Sequence, residues 1–427
     1  MLLYQKAMAE RNKWLTIAVV NLCIVALLGL LLRSKILFSI PGIDFKNLLH
    51  AHSHFAFGGW ITICLLTLMT YEILPPEYSV SRKYKIGLTI LLIAAIGMLF
   101  SFPFQGYAFF SIFFSTLFIF GTYFYSCIFL TDLFRSKPGK AVTVLCVVAL
   151  LSLSLSSVGP FTLAYMLATH SVNTLLYRDS IYTYLHLQYN GFFTLSVFAL
   201  LFHYFSKTFT TAILKVVDRF AIILSISVLP TLCLSYLWHF TNVAVRSMAI
   251  AGCILLIFTA IQFVKMLVSM KPVLKTAKPF ALKIGLVSMI AFMLKTIVQV
   301  GLIFPAIGNR VFGDRPMIIA YLHLVMLGFV TLYLFAYLIQ INYFQTAKSM
   351  TRYGIISFAV AVIANEMILL AQGLCAMLMI SGALYPLLLW LAAIGLFISA
   401  AFVAGASVGH FRLRHKQFVM YSRIKIF

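Results

Sequence analysis

Apolar residues in this chain fall in long unbroken runs, not in the short alternations of strands or the one-sided stripes of surface helices. Runs of about 20 apolar residues can cross a bilayer as a helix. They occur near 14–32, 48–73, 84–104, 108–133, 141–168, 181–206, 218–240, 245–269, 279–304, 316–345, 352–381 and 385–409. The pattern predicts an all-α integral membrane protein with twelve transmembrane helices. Only short polar breaks separate the runs, with no low-complexity linker and no extramembrane domain.

Three runs carry versions of one motif. They read His54-Phe55-Ala56-Phe57-Gly58-Gly59-Trp60-Ile61-Thr62, His186-Leu187-Gln188-Tyr189-Asn190-Gly191-Phe192-Phe193-Thr194 and His323-Leu324-Val325-Met326-Leu327-Gly328-Phe329-Val330-Thr331. Each has histidine, then glycine at +5, an aromatic at +6 and threonine at +8. The copies are 132 and 137 residues apart and fall in spans 2, 6 and 10. The chain therefore reads as one membrane domain of three quasi-equivalent four-helix units, roughly 1–140, 141–278 and 279–427. Parallel repeats of this kind imply an axis along the membrane normal.

Composition agrees: 63% of residues are hydrophobic and 10% charged, far from a soluble domain. The net charge of +23 raises the question of nucleic acid, and its distribution answers it. With the N-terminus inside, 24 basic residues fall in inside segments and seven in outside loops, with Lys295 within a span. That is the positive-inside pattern, with attraction to anionic lipid. It places both termini in the cytoplasm, with a bacterial inner membrane as the expected location and lipid as the expected surroundings. The seven cysteines lie in apolar runs without metal-ligand spacing and read as small core residues. No P-loop, dinucleotide-binding glycine pattern, nucleophile triad or EF-hand occurs, so neither nucleotide nor nucleic acid is an expected partner.

The chemistry then lies in intramembrane histidines, which are functional candidates by default and common metal and haem ligands. Span 2 carries His50, His52 and His54. On a helix His50 and His54 share a face, while His52 points nearly opposite. His239 ends span 7 on the side of His186, and it is either a candidate ligand of one metal with His186 or an interfacial histidine beside Trp238. Asp44, Asp179 and Asp314 precede the motif histidines, and Arg178 and Arg315 adjoin two of them. These are either helix caps and loop ion pairs or anchors for haem propionates. Glu366, deep in span 11, is either a proton relay or a carboxyl hydrogen-bonded to Lys295 or a carbonyl. His170, His203, His410 and His415 receive no role.

This arrangement resembles the catalytic subunit I of haem–copper oxidases and nitric oxide reductases. Tyr184-Leu185-His186-Leu187-Gln188-Tyr189-Asn190-Gly191 looks like the span-6 metal-ligand motif of that superfamily. Tyr321-Leu322-His323-Leu324 through Gly328-Phe329 looks like the span-10 motif of cbb3-type oxidases and the reductases. Phe55-Ala56-Phe57-Gly58-Gly59 resembles a span-2 string of the cbb3-type. Over its whole length the chain is similar to a short, divergent group of cytochrome c oxidase subunit I-like proteins. Members carry the strings LLHAHSH, YLHLQYNG and YLHLVxLGF.

The resemblance implies a low-spin b-type haem held between spans 2 and 10, with His323 as one ligand and His54 or His50 as the other. The repeat favours His54, which it sets level with His323; His52 is the remaining candidate of the cluster. The resemblance also implies a second metal, copper or iron, at His186 and His239. Tyr236, Tyr321 and Glu366 are the candidate catalytic groups. Departures weaken the second centre. Tyr321 stands where a high-spin haem ligand is expected, Trp238 precedes His239 where the superfamily has adjacent histidines, and Asn190 replaces a tyrosine or glutamate. A bis-histidine haem transfers electrons without an open position for substrate. The expected function is therefore a haem-binding membrane redox protein with a depleted binuclear centre, working with a redox partner protein. The alternatives are a non-enzymatic haem- or metal-containing subunit of another membrane complex, and a twelve-span proton-coupled transporter. The four-span period disfavours the last.

Overall fold

A computed structural model describes residues 2–424 except Thr241, Gly313 and Ser381, with side chains through Phe411. The described residues form helices and connecting turns, with no strand among them. The long helical segments are α1 (Leu2–Leu37), α2 (Phe45–Ile73), α3 (Arg82–Gln105), α4 (Phe109–Ser136), α5 (Lys140–Ala168) and α6 (Thr174–Thr208). There follow α7 (Thr211–Leu232), α8 (Val243–Leu274), α9 (Pro279–Gly301), α10 (Arg315–Gln340), α11 (Ser349–Met377) and α12 (Tyr385–Ile424). Among the described residues, eleven helices are long and apolar enough to cross a membrane. The chain is an all-helical integral membrane protein.

The seventh expected span is the exception. Near 218–240 the structure has α7, whose 22 residues include Lys215, Asp218 and Arg219. Three charges in its first half and the shift to a short 3₁₀ turn at Cys233–Tyr236 leave no uninterrupted apolar helix of spanning length. The basic tail from Arg412 continues α12 as backbone to Ile424. Its side chains, His415 among them, and residues 425–427 lie outside the described residues.

α2 and α6 are the axis of the bundle: 89% and 83% of their apolar stretches are buried, against 56% or less elsewhere. α1 packs on α12, α3 on α4, α7 on α8 and α9 on α10, so the peripheral helices enclose α2, α6 and the inner part of α10. The peripheral helices turn apolar side chains outward, as Ile254, Ile257, Phe258, Ile261 and Val268 do on α8. In lipid these are the solvated face, so their exposure carries no hydrophobic cost. The centre is aromatic. Phe198, Phe220, Phe263, Phe292 and Phe329 come from five helices, with successive ring centroids 4.8–6.1 Å apart.

One backbone feature recurs in the three central helices. Ala56–Thr62, Leu187–Phe193 and Leu324–Thr331 are π-helical, each beginning one or two residues after a motif histidine. A π-segment widens the helix by one residue and turns the side chains that follow, and such segments gather at functional sites. Each packs on the helix preceding its own: α1, α5 and α9 respectively. Small and polar residues make those contacts. Asn21 Nδ2 donates to Gly59 O at 2.7 Å, and Ser288 Oγ donates to Phe329 O at 2.7 Å. Gly191 lies where a Cβ would meet Ser152 Cβ at 2.4 Å, so only glycine fits the approach. Gly191 is thus a helix-packing position. The +8 threonine of the third motif joins two central helices, because Trp60 Nε1 on α2 donates to Thr331 Oγ1 on α10 at 3.1 Å.

Candidate haem and metal sites

The start of α2 is set by Asp44, whose carboxylate caps the helix by accepting from Asn47 N at 2.8 Å. Three histidines at two-residue spacing then divide between two faces. His54 stacks on Phe102, with centroids 4.6 Å apart and planes 15° off parallel, and its Nε2 meets Tyr107 Oη at 3.1 Å. His50 presents its ring to the edge of Tyr107 at 4.7 Å, and its buried Nε2 has no hydrogen-bond partner. Tyr107 reaches both because Gly106, at φ +60°, makes the tight turn after α3. A Cβ at Gly106 would also sit 2.6 Å from Asn47 Oδ1.

His52 faces the other way, onto α1. Its Nδ1 lies 3.1 Å from Val25 O, and a Cβ on Gly29 would come within 3.2 Å of its Cε1. A carbonyl only accepts, so Nδ1 carries the proton and the Nε2 lone pair is free. His323 on α10 has the same arrangement, with Nδ1 3.0 Å from Ile319 O. His52 and His323 lie within electrostatic reach of each other and of Arg33, and Arg33 within reach of Arg315. Both residues are half-buried and keep accessible surface, and no residue from Arg315 to His323 is fully buried. His52, rather than His54, is thus the span-2 histidine that shares its electrostatic surroundings with His323. Sequence reasoning passed over Gly29 and Arg33. Their signal was the series Val25, Gly29, Arg33, one residue per helical turn along a single face of α1.

The Arg–Asp pairs resolve into separate tasks. Asp314 caps α10 and Arg315 lies over the Phe45 ring at 5.5 Å. Asp179 takes His239 Nε2 at 2.9 Å, and Arg178 lies over Trp238 at 5.1 Å. Asn173, not Asp179, caps α6.

His186 and His239 are not partnered to each other. His186 is buried, its Nε2 donates to Val228 O at 2.8 Å, and its Nδ1 accepts from Asn190 Nδ2 at 3.1 Å. Asn190 Oδ1 in turn accepts from Lys295 Nζ at 2.5 Å. Tyr236 is bonded to Thr183 at 2.6 Å, and Tyr321 packs edge-on to Tyr189 with centroids 5.7 Å apart. Glu366 accepts from Asn365 Nδ2 at 3.1 Å, so its partner is the neighbouring amide and Lys295 is engaged elsewhere. Among the described residues no group of three or more His, Cys, Asp or Glu is placed to hold a metal ion. A bis-imidazole haem asks for only two, and His52 with His323 fits that demand by tautomer. No protein-family model and no curated protein matches the chain.

Proposed function

We propose that the chain is a haem-binding membrane redox protein, a divergent relative of the haem–copper oxidase and nitric oxide reductase catalytic subunits. The reading includes twelve spans, α7 counted among them, in three four-helix units. The π-segment after each motif histidine supports that division. The observation that carries the haem assignment is the matched pair His52 and His323. Each is anchored through Nδ1 to a carbonyl and has Nε2 free. That is the usual state of a ligating imidazole, in which the second-shell bond fixes the tautomer and raises ligand basicity.

In this reading His52 and His323 hold a low-spin b-type haem, which supplies one-electron transfer. The chain's own part is to hold and tune. Val25 O and Ile319 O keep each imidazole turned and protonated at Nδ1. Gly29 leaves room for the His52 ring. Arg33 and Arg315 supply positive charge for carboxylates at that end of the bundle. The apolar bundle keeps bulk water away and favours the less charged state of any buried redox centre. The basic loops orient the protein with both termini in the cytoplasm and the histidine end outward. Electrons then exchange with a partner protein or membrane subunit on the outer side.

The test is chemical. The full-length protein, purified in detergent from haem-replete cells, is expected to yield about one b-type haem per chain by pyridine haemochrome. A colourless preparation contradicts the proposal.

A further inference from the structure

The resemblance to haem–copper oxidases implies a second metal at His186, and the residues around His186 do not fit one. Both ring nitrogens are committed. Nε2–H points at the Val228 carbonyl at 2.8 Å, with Thr231 Oγ1 at 3.4 Å, and Nδ1 receives the Asn190 amide at 3.1 Å. The direction of the Asn190 amide is fixed in turn by Lys295. Its Nζ lies 2.5 Å from Asn190 Oδ1 and 3.5 Å from Thr194 Oγ1. Donors and acceptors therefore run one way along a chain from Lys295 through Asn190 and His186 to Val228 O, crossing from α9 through α6 to α7. His239, the other expected ligand, holds the Asp179 carboxylate through Nε2, and His186 has no nitrogen left to share a metal with it.

A metal at His186 Nδ1 would have to displace the Asn190 amide, which Lys295 holds in place. Lys295 is 3% exposed, it sits over the Phe292 ring at 5.5 Å, and no carboxylate pairs with it among the described residues. A buried ionisable side chain without a counter-ion is costly in a bilayer and persists where it has a task. We propose that Lys295 stands in for the second metal ion. It heads a hydrogen-bond chain that locks His186 as an Nε2–H donor and leaves it no nitrogen for copper or iron. The compartment between α6, α7 and α9 is then a metal-free centre organised by a fixed lysine donor. Asn190 and Lys295 are positioning residues for His186. The tautomer of His186 follows from this geometry whether or not haem binds between α2 and α10.

Two measurements test it. Elemental analysis of the purified full-length protein is expected to show no stoichiometric copper and no iron beyond that recovered as haem. One copper or one non-haem iron per chain, lost in His186→Ala, overturns the proposal. Haem is quantified separately, so failure of the haem reading leaves this result interpretable. Solid-state 15N NMR of histidine-labelled protein, with the His186 signals assigned by their loss in His186→Gln, gives the second. The expected state is a single neutral tautomer with Nε2 protonated and Nδ1 accepting a hydrogen bond. Lys295→Met should abolish that single state, and Lys295→Arg should retain more of it. Metal-shifted His186 resonances in the native protein, or His186 signals unchanged in Lys295→Met, overturn the proposal. If Lys295→Met does not accumulate, the native spectrum and the metal content still decide.

Discussion

His52 and His323 stand 271 residues apart in sequence, yet each donates Nδ1–H to a backbone carbonyl, at 3.1 and 3.0 Å, and leaves Nε2 free. His54, one of the three motif histidines, has a different neighbourhood: it stacks on Phe102 and uses Nε2 with Tyr107. The account of the protein turns on that difference.

The space that admits His52 is made by Gly29, and filling it should disturb the ring. Gly29→Ala places a methyl 3.2 Å from His52 Cε1, close enough to require a small shift of the imidazole. Gly29→Val adds more bulk and should cost about 1–3 kcal/mol as overpacking. The account expects a modest change in the haem spectrum for the first and substantial loss of haem for the second. Visible spectra at equal protein concentration check both.

The motif glycines differ in how tightly they are packed, and their alanine variants should differ likewise. Gly191→Ala would drive a Cβ to 2.4 Å from Ser152 Cβ, whereas at Gly328 the nearest atom is Ala291 Cβ at 3.4 Å, an ordinary contact. Thermal unfolding in detergent should show Gly191→Ala destabilised by about 1–3 kcal/mol and Gly328→Ala close to native. Adding Ser152→Gly should recover part of the loss in Gly191→Ala.

The indole of Trp60 and the hydroxyl of Thr331 tie two of the central helices together in a dry interior. Thr331→Val keeps the shape and removes the acceptor, leaving a buried N–H unpaired at a cost of about 1–3 kcal/mol. Thr331→Ser should be milder, because it retains the oxygen. Unfolding midpoints of the two variants, compared with the native protein, read the difference.

At the opposite end, Arg11 Nη1 lies 2.5 Å from Glu72 Oε1, with the two side chains only 5% and 15% exposed. Removing one charge leaves the other buried and unpaired, so Arg11→Met or Glu72→Leu alone should cost about 3–5 kcal/mol. The double variant should recover much of the loss. A cycle of the three variants in one unfolding assay gives the coupling, and additive losses would contradict a desolvated pair.

Much of the architecture was legible because bilayer crossing demands long apolar runs, and the positions of eleven helices follow from that demand alone. α7 was not, since its apolar residues run on past Leu232 while the helix does not, and Lys215, Asp218 and Arg219 sit inside it. The motif repeat was visible as residues; the π-segments that follow it were not, because no residue type specifies a π-helix. For the proposed haem ligands the repeat points to His54, level with His323. Sequence separates His52 from His50 and His54 by helical angle, but which face turns toward α1 and α10 is decided by how α2 is rotated in the bundle. At His186 the motif suggested a ligand, and only the distances to Asn190, Val228 and Lys295 reveal how both nitrogens are used.

The most direct test of the central claim is the visible spectrum, oxidised and dithionite-reduced, of the native protein beside His52→Ala, His54→Ala and His323→Ala. The account predicts a low-spin b-type spectrum in the native protein and in His54→Ala. It predicts loss of that spectrum in both His52→Ala and His323→Ala. A normal low-spin spectrum in His52→Ala, or its loss in His54→Ala with His52→Ala unaffected, would contradict the assignment.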